Sequence, residues 1–327
     1  MIKDRAQLTE KLFNQKDLLT VKTLLYKQWV FRYTFLELEK DLNEHGDITS
    51  DSLIHDSQEV IARIYANQDG VMAGGEEINY FVLESDPTFK PRLNEVHIVQ
   101  RLEDGKKFKK DDMLMELKGD IKDILKAERS ILNLLQHMCG IATTSKRIID
   151  KAKKSKPHVC IAPTRKTTWG LIDKKAVTIA GGATHRLNLA DSILIKDNHL
   201  AYYKYDLKKL FASFKPPKHP YKFFEIEIED TKTAIEAAKL ISQYQSKKIL
   251  PNEVVMMLDN MSPKEIEKTL AALQQESLYD VCLFEASGGI NEENIVDYAN
   301  TGVDVISLGL LTQNIQPIDL SLEIGNV

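Results

Sequence analysis

Cysteine is scarce in this chain: Cys139, Cys160 and Cys282 are the three in 327 residues. Their spacing matches no metal knuckle and their neighbours are apolar, so they read as small buried hydrophobes in a reducing compartment. Long apolar runs are missing as well, and no stretch approaches membrane-spanning length. Residues 1–10 are charged and lack the apolar centre of a signal peptide, so a cytoplasmic protein is expected. Charge of one sign is not in excess. A net charge of -4 argues against a general nucleic-acid binder. Neither a Walker loop nor a Rossmann glycine fingerprint occurs, and no His/Cys/Asp cluster has metal-site spacing. Aromatics make up only 7%, yet with 43% hydrophobic and 28% charged residues the chain is an ordinary globular sequence of one or two domains.

What is present is ordered. Leu8, Leu12 and Phe13, then Val21, Leu24 and Leu25, recur at helical spacing over residues 1–40. From Gly46 the texture turns to strands. Val60, Ala62, Ile64 and Ala66 alternate with Ile61, Arg63 and Tyr65 before a turn at Asp69-Gly70, and Val96 to Glu116 repeats the pattern around Asp104-Gly105. A small antiparallel sheet domain is expected there. A helix should start at Asp120 as N-cap and be interrupted at Gly140. After residue 158 the rhythm becomes strand–loop–helix, with short β runs at 159–162, 192–195, 223–228, 254–258, 281–286 and 303–308. Ser262 to Glu265 forms a capping box, and Asn291 and Gly302 bracket a later helix. Six such units point to a parallel α/β barrel. Whether Ile318 to Ile324 returns to the first domain stays open.

Position carries the functional signal. Arg165 and Lys166 follow the first β run, Lys196 the second, Glu227 ends the third and Asp259 follows the fourth; Ser287, Gly288 and Gly289 follow the fifth and Gly309 the last. In a parallel barrel those strand ends converge on one mouth. Arg165, Lys166, His185, Arg186 and Lys196 fall within about thirty residues, in small or apolar surroundings, and are suited to a compact polyanion. The glycines permit close backbone approach to a phosphate, or simply make a tight turn. Glu227 and Asp259 suit ribose hydroxyls, a Mg²⁺ or a developing sugar cation. Glu225 and Glu229 share the strand face of Glu227 and read as a polar inward face. Lys166 and Lys196 also admit a Schiff base, and His185 either a general base or a hydrogen-bonded supporting role.

At these residues the chain resembles the quinolinate phosphoribosyltransferase family. The matches run in order through D-L-N-E-H-G-D-I-T at 41–49, D-G-V-M-A-G at 69–74, A-E-R-S-I-L-N at 127–133 and G-I-A-T at 140–143. They continue through T-R-K-T-T at 164–168, L-I-K-D-N-H at 194–199 and E-I-E at 225–227. M-L-D-N-M-S-P at 257–263, E-A-S-G-G-I at 285–290 and D-V-I-S-L-G at 304–309 complete the set. The resemblance implies an N-terminal α/β sandwich domain plus an incomplete parallel α/β barrel. The boundaries it suggests are a helical extension over 1–40, a sandwich domain over 41–126 joined by 314–327, and a catalytic barrel over 127–313. It implies transfer of phosphoribosyl from phosphoribosyl pyrophosphate to quinolinate with decarboxylation, aided by Mg²⁺ held mainly by the substrate pyrophosphate. The implied partners are these small molecules and a second copy of the chain, in a homodimer with a shared active site or a higher oligomer, with no nucleic acid or membrane.

By the same resemblance Lys166, Glu227 and Asp259 are catalytic. Arg129 of the partner copy, with Arg165, Lys166, Thr167, His185, Arg186 and Lys196, meets the pyridine diacid. Ser287, Gly288, Gly289 and Gly309 hold the 5-phosphate. Without the resemblance Arg129 is a surface helix arginine paired with Glu128 or Asp123. Three departures stand out: Trp169 where the family has proline, Thr184 where asparagine is common, and the long first forty residues, for which an added dimer contact is one reading. Other readings of the chemistry are a related protein associated with molybdenum transport, a transferase for another pyridine carboxylate, a Schiff-base aldolase, and a ligand-binding descendant without turnover.

Overall fold

The structure is a computed structural model that describes residues 2, 4–56, 58–83, 93 and 96–325. Parts of the expected sandwich span, 84–92 and 94–95, lie outside the described residues, as do 326–327. In chain order the strands are β1 (Glu59–Ala66), β2 (Gly70–Val71), β3 (His97–Arg101), β4 (Lys107–Phe108), β5 (Met113–Asp120), β6 (Cys160–Pro163), β7 (Ile193–Ile195), β8 (Phe224–Ile228), β9 (Val254–Asp259), β10 (Leu283–Ser287), β11 (Val305–Leu308) and β12 (Leu320–Gly325).

Two compact units are interleaved along the chain. One comprises residues 1–15, 147–166 and 182–310; the other comprises 16–146, 167–181 and 311–327. The first forty residues are therefore shared: the helix Arg5–Phe13 belongs to the first unit, and the helices Leu24–Tyr33 and Phe35–Leu42 to the second.

The first unit is the incomplete barrel. Its parallel sheet has the order β6-β11-β10-β9-β8-β7, and β6 and β7 do not pair with each other among the described residues. Helices cross between successive strands. The capping box expected at Ser262 is formed, with Ser262 Oγ accepting from the Glu265 amide. The strand expected from 281 starts at Leu283, because Tyr279–Val281 closes into a 3-10 turn. Leu12 and Phe13 pack with Ala162, Ala183, Phe223, Val255, Leu283 and Val305. Several of these lie where strands begin, so the N-terminal helix plugs that end and leaves the opposite strand ends for chemistry. Arg5 fixes the plug through a bidentate pair with Asp304, at 2.9 and 2.5 Å, and lies over the Tyr279 ring.

The second unit carries the antiparallel sheet β12-β1-β5-β3. In β1 buried residues alternate with more exposed ones, the alternation legible in the sequence. The last strand does return: β12 pairs antiparallel with β1 from Ile61↔Gly325 to Ala66↔Leu320.

The helix expected to break at Gly140 instead runs unbroken from Ile121 to Ser155. Glycine costs a helix about 1 kcal/mol, and Ile131, Leu135, Met138, Ile141 and Ala142 around it are buried, which offsets that cost. Gly140 is there for space: a Cβ would sit 2.3 Å from the Gln316 carbonyl oxygen.

Candidate active site

Sheet register builds the mouth of the barrel. Leu194 pairs with Glu225 and Ile195 with Ile226, so Lys196 comes level with Glu227. Lys196 Nζ lies 3.3 Å from Glu227 Oε1, and the Asp197 amide donates to Glu227 Oε2 at 3.2 Å. One strand along, Asp259 pairs with Ser287. Burial pushes the Asp259 carboxyl above its ordinary range, opposed by a hydrogen bond from Ser287 and by the charges of Lys196 and Lys166. Glu227 is likewise raised by burial, opposed first by Lys196, while Asp259 pushes it further up. Lys166, Lys196, Glu227, Asp259 and Ser287 therefore share one electrostatic neighbourhood, although the sequence scatters them over more than a hundred residues.

Arg165 lies close enough to Arg186 to repel it. Burial lowers the Arg186 guanidinium from its usual value, and repulsion from Arg165 lowers it further, while Glu225, Glu227 and Asp191 pull it back up. Two arginines held in mutual repulsion favour an anion between them. Arg165 and Lys166 themselves are exposed.

The glycine loop has one filled and one open side. Asn260, at φ +54°, donates its amide to the Ser287 carbonyl at 2.9 Å. A Cβ on Gly288 would lie 2.2 Å from Asn260 Oδ1, so only glycine fits there. Gly289, at φ +64°, faces open space within 4 Å of its would-be Cβ. Gly309 directly follows β11.

His185 differs from a simple substrate contact. Its side chain is buried, Nδ1 accepts from the Arg186 amide at 2.7 Å, and Nε2 faces Glu285 at 3.1 Å and Glu225 at 3.7 Å. Ser307 Oγ donates to Glu285 Oε1 at 2.5 Å. Both glutamates are fully buried. Their ligand atoms and His185 lie within 4.8 Å of one another, a spacing a metal ion could use. One proton shared between the two carboxyls accounts for them as well. Burial and the neighbouring Glu285 hold Glu225 well above the carboxylate range, whereas the Glu285 carboxyl, despite its own burial, is held low by His185 and Ser307. Glu225 was legible as an inward polar residue. Glu285 and Ser307 were not singled out; the available signal was a glutamate inside the apolar run Leu283–Ala286.

Arg129 and Thr167 belong to the second unit. Arg129 is exposed on the long helix and lies 3.8 Å from Glu128, while Asp123 pairs with Lys126. The departure at Trp169 has a structural context in that unit. Its ring stacks between Tyr33, at 4.4 Å, and His137, at 4.0 Å. Asp173 Oδ2 accepts the Thr168 and Trp169 amides at 2.6 and 3.0 Å, and its Oδ1 lies 2.6 Å from His137 Nε2. The segment after Lys166 is thus fixed by stacking. The buried Asp173 and His137 behind it were missed in the sequence.

Burial pushes each of the three thiols up to about 12, away from the reactive thiolate form. Among the described residues no helix is long and apolar enough to cross a membrane.

An incomplete α/β barrel whose strand ends carry clustered cations, two carboxylates and a glycine loop defines an enzyme acting on small phosphorylated anions. Sequence comparison makes this specific. Residues 47–139 match the quinolinate phosphoribosyl transferase N-terminal domain, and residues 141–323 the C-terminal domain. A probable nicotinate-nucleotide pyrophosphorylase (carboxylating) of Methanothermobacter thermautotrophicus is 37% identical over 280 residues, covering 85% of this chain and 93% of its own. The corresponding protein of Mycobacterium leprae is 32% identical, covering 88% and 94%. Among solved structures, the nicotinate-nucleotide pyrophosphorylase of Francisella tularensis superposes with a TM-score of 0.71 at 28% identity, covering 91% of this chain and 96% of that one. The chain belongs to the quinolinate phosphoribosyltransferase family.

Proposed function

We infer that the protein transfers phosphoribosyl from phosphoribosyl pyrophosphate to quinolinate with decarboxylation, giving nicotinate mononucleotide, pyrophosphate and CO₂ for de novo NAD synthesis. The observation that carries this reading is the convergence of Lys166, Lys196, Glu227, Asp259 and the Ser287–Gly289 loop on the strand ends of one sheet.

Quinolinate holds two adjacent carboxylates, and fixed cations are needed to desolvate it and aim its ring nitrogen. Arg165, Lys166, Arg186 and Lys196 are the available groups, with His185 beneath Arg186. Gly288 and Gly289 offer backbone to the 5-phosphate. Glu227 and Asp259 accept ribose hydroxyls and offset positive charge at C1 as its bond to pyrophosphate breaks. The ring nitrogen donates its electron pair to C1 and pyrophosphate leaves with the C1–O pair. The nitrogen is then cationic and takes up the charge left when the neighbouring carboxylate departs as CO₂; a proton replaces it on carbon. Mg²⁺ fits as a companion of the pyrophosphate, because Glu227 and Asp259 are hard oxygen donors at the mouth. Bound there it would neutralise leaving-group charge.

Purified protein should release pyrophosphate and CO₂ only when both quinolinate and phosphoribosyl pyrophosphate are supplied with Mg²⁺, and nicotinate should not replace quinolinate. Folded protein that gives no turnover under these conditions would overturn the assignment. Borohydride with a carbonyl substrate should trap nothing on Lys166 or Lys196.

Arg129 serves this reaction best from a second copy, in a homodimer with shared sites. Mixing inactive Arg129→Ala and Lys196→Ala proteins should restore part of the activity. Isolated heterodimers that remain inactive would remove the shared site.

A further inference from the structure

We propose that residues 13–15, the end of the N-terminal plug, act as a positioning strap that aims Arg186 at the diacid. The inference rests on the transferase reading above and assigns the strap a part in it.

The Thr184–Arg186 turn is an unfavourable one. His185 adopts φ +51°, a left-handed conformation that costs a non-glycine residue about 1 kcal/mol or more. Such a conformation persists only when its surroundings impose it. The Phe13 carbonyl accepts three hydrogen bonds from this turn: the Thr184 amide at 2.9 Å, the His185 amide at 3.0 Å and Thr184 Oγ1 at 2.8 Å. Thr184 Oγ1 in turn accepts the Gln15 amide at 3.1 Å. Gln15 Nε2 donates to Asp191 Oδ2 at 2.5 Å, and that same oxygen accepts the Leu187 amide at 2.7 Å. The strap therefore clasps the chain on both sides of His185 and Arg186. The Phe13 ring stands edge-on to the His185 imidazole, with centroids 5.1 Å apart, and stacks on Phe223. From the other side His185 meets Glu285, and its Nδ1 accepts the Arg186 amide.

This arrangement explains Thr184. A hydroxyl that donates to one strap residue and accepts from the next closes a small ring across the plug and the turn. An apolar residue there leaves the Gln15 amide without this acceptor in a buried place. Among the described residues the hydrogen bond seen from the Arg186 guanidinium is a long one, from Nη1 to the Ser192 carbonyl at 3.4 Å. Its direction is set by the backbone of the turn. The contacts described for Thr184, Phe13 and Gln15 run to the backbone of the turn, the His185 ring and Asp191, so their effect reaches the diacid through Arg186.

The test is initial-rate kinetics of full-length Thr184→Val, Thr184→Ser and Gln15→Ala against wild type, varying quinolinate and phosphoribosyl pyrophosphate separately. Thr184→Val keeps the shape and removes both hydroxyl bonds. It should raise KM for quinolinate about tenfold, as expected for losing one to two buried hydrogen bonds. KM for phosphoribosyl pyrophosphate should stay within about twofold. Thr184→Ser should restore the quinolinate KM, and Gln15→Ala should move it in the same direction as Thr184→Val. Quinolinate titration by calorimetry reads the same change without turnover. An unchanged quinolinate KM in folded Thr184→Val and Gln15→Ala overturns the strap, as does an equal rise for both substrates with a lowered thermal midpoint. If wild type itself shows no transferase activity, the functional reading fails, not the strap.

Discussion

With Glu225 and Glu285 both ionised, three carboxylate oxygens in the barrel interior would lack a hydrogen-bond partner. A single proton shared between the carboxyls pairs two of those oxygens and removes one buried charge, and the surroundings place it on Glu225. Glu225→Gln mimics the protonated state and should leave the thermal midpoint near wild type at pH 7. Glu285→Gln removes the charge that faces His185 and should cost about 2–4 kcal/mol; urea unfolding of the two variants side by side distinguishes them. At the mouth the logic reverses. Lys166 is exposed, so Lys166→Ala should change stability by less than about 0.5 kcal/mol while lowering kcat about a hundredfold or more, measured by pyrophosphate release. The cations and carboxylates of the mouth were legible in the sequence because each follows an apolar β run. His185 was not fully legible. Only the fold reveals that both its ring nitrogens face inward partners, one of them the next residue's amide.

Among the elements, the long helix Ile121–Ser155 shows how local preference yields to packing. Glycine in mid-helix reads as a break, and nothing near Gly140 in sequence says that the chain around Gln316 must pass it. Gly140→Ala, usually worth about 1 kcal/mol to a helix, should here destabilise by about 1–3 kcal/mol through the clash with the Gln316 carbonyl. Circular dichroism melts of the variant give the sign directly. The parallel strands were legible to within a residue or two because β-branched and apolar runs end in turn signals. The first forty residues were legible as helices but not as two pieces with different packing. Helical spacing says which face is buried and is silent about what covers it. Phe13 and Trp169 make the point: one appears as a core residue and the other as an anomaly until their ring partners are known.

For the whole molecule, stability should depend on pH through a buried carboxyl of the second unit. Glu77 is fully buried, and burial pushes its carboxyl from the ordinary 4.5 to about 7, against the pull of Lys175 and a hydrogen bond from Tyr26 at 2.6 Å. Because the folded state binds this proton more tightly than the unfolded chain, the contribution is complete below about pH 4.5 and disappears as pH rises through 7. At about 1.4 kcal/mol per pH unit it amounts to about 3 kcal/mol across that window. Glu77→Gln should flatten the fall in unfolding free energy between pH 5 and 8, as read by denaturant titration at each pH; an unchanged slope would show that the proton resides elsewhere. The pairing of β12 with β1 has a different reach. During synthesis the partner strand of Glu59–Ala66 emerges from the ribosome some two hundred and fifty residues after it. Until then one border of that ribbon stays bare, a template for adhesion between nascent chains. A stop codon before Leu320 should therefore yield inclusion bodies rather than a weakened soluble enzyme.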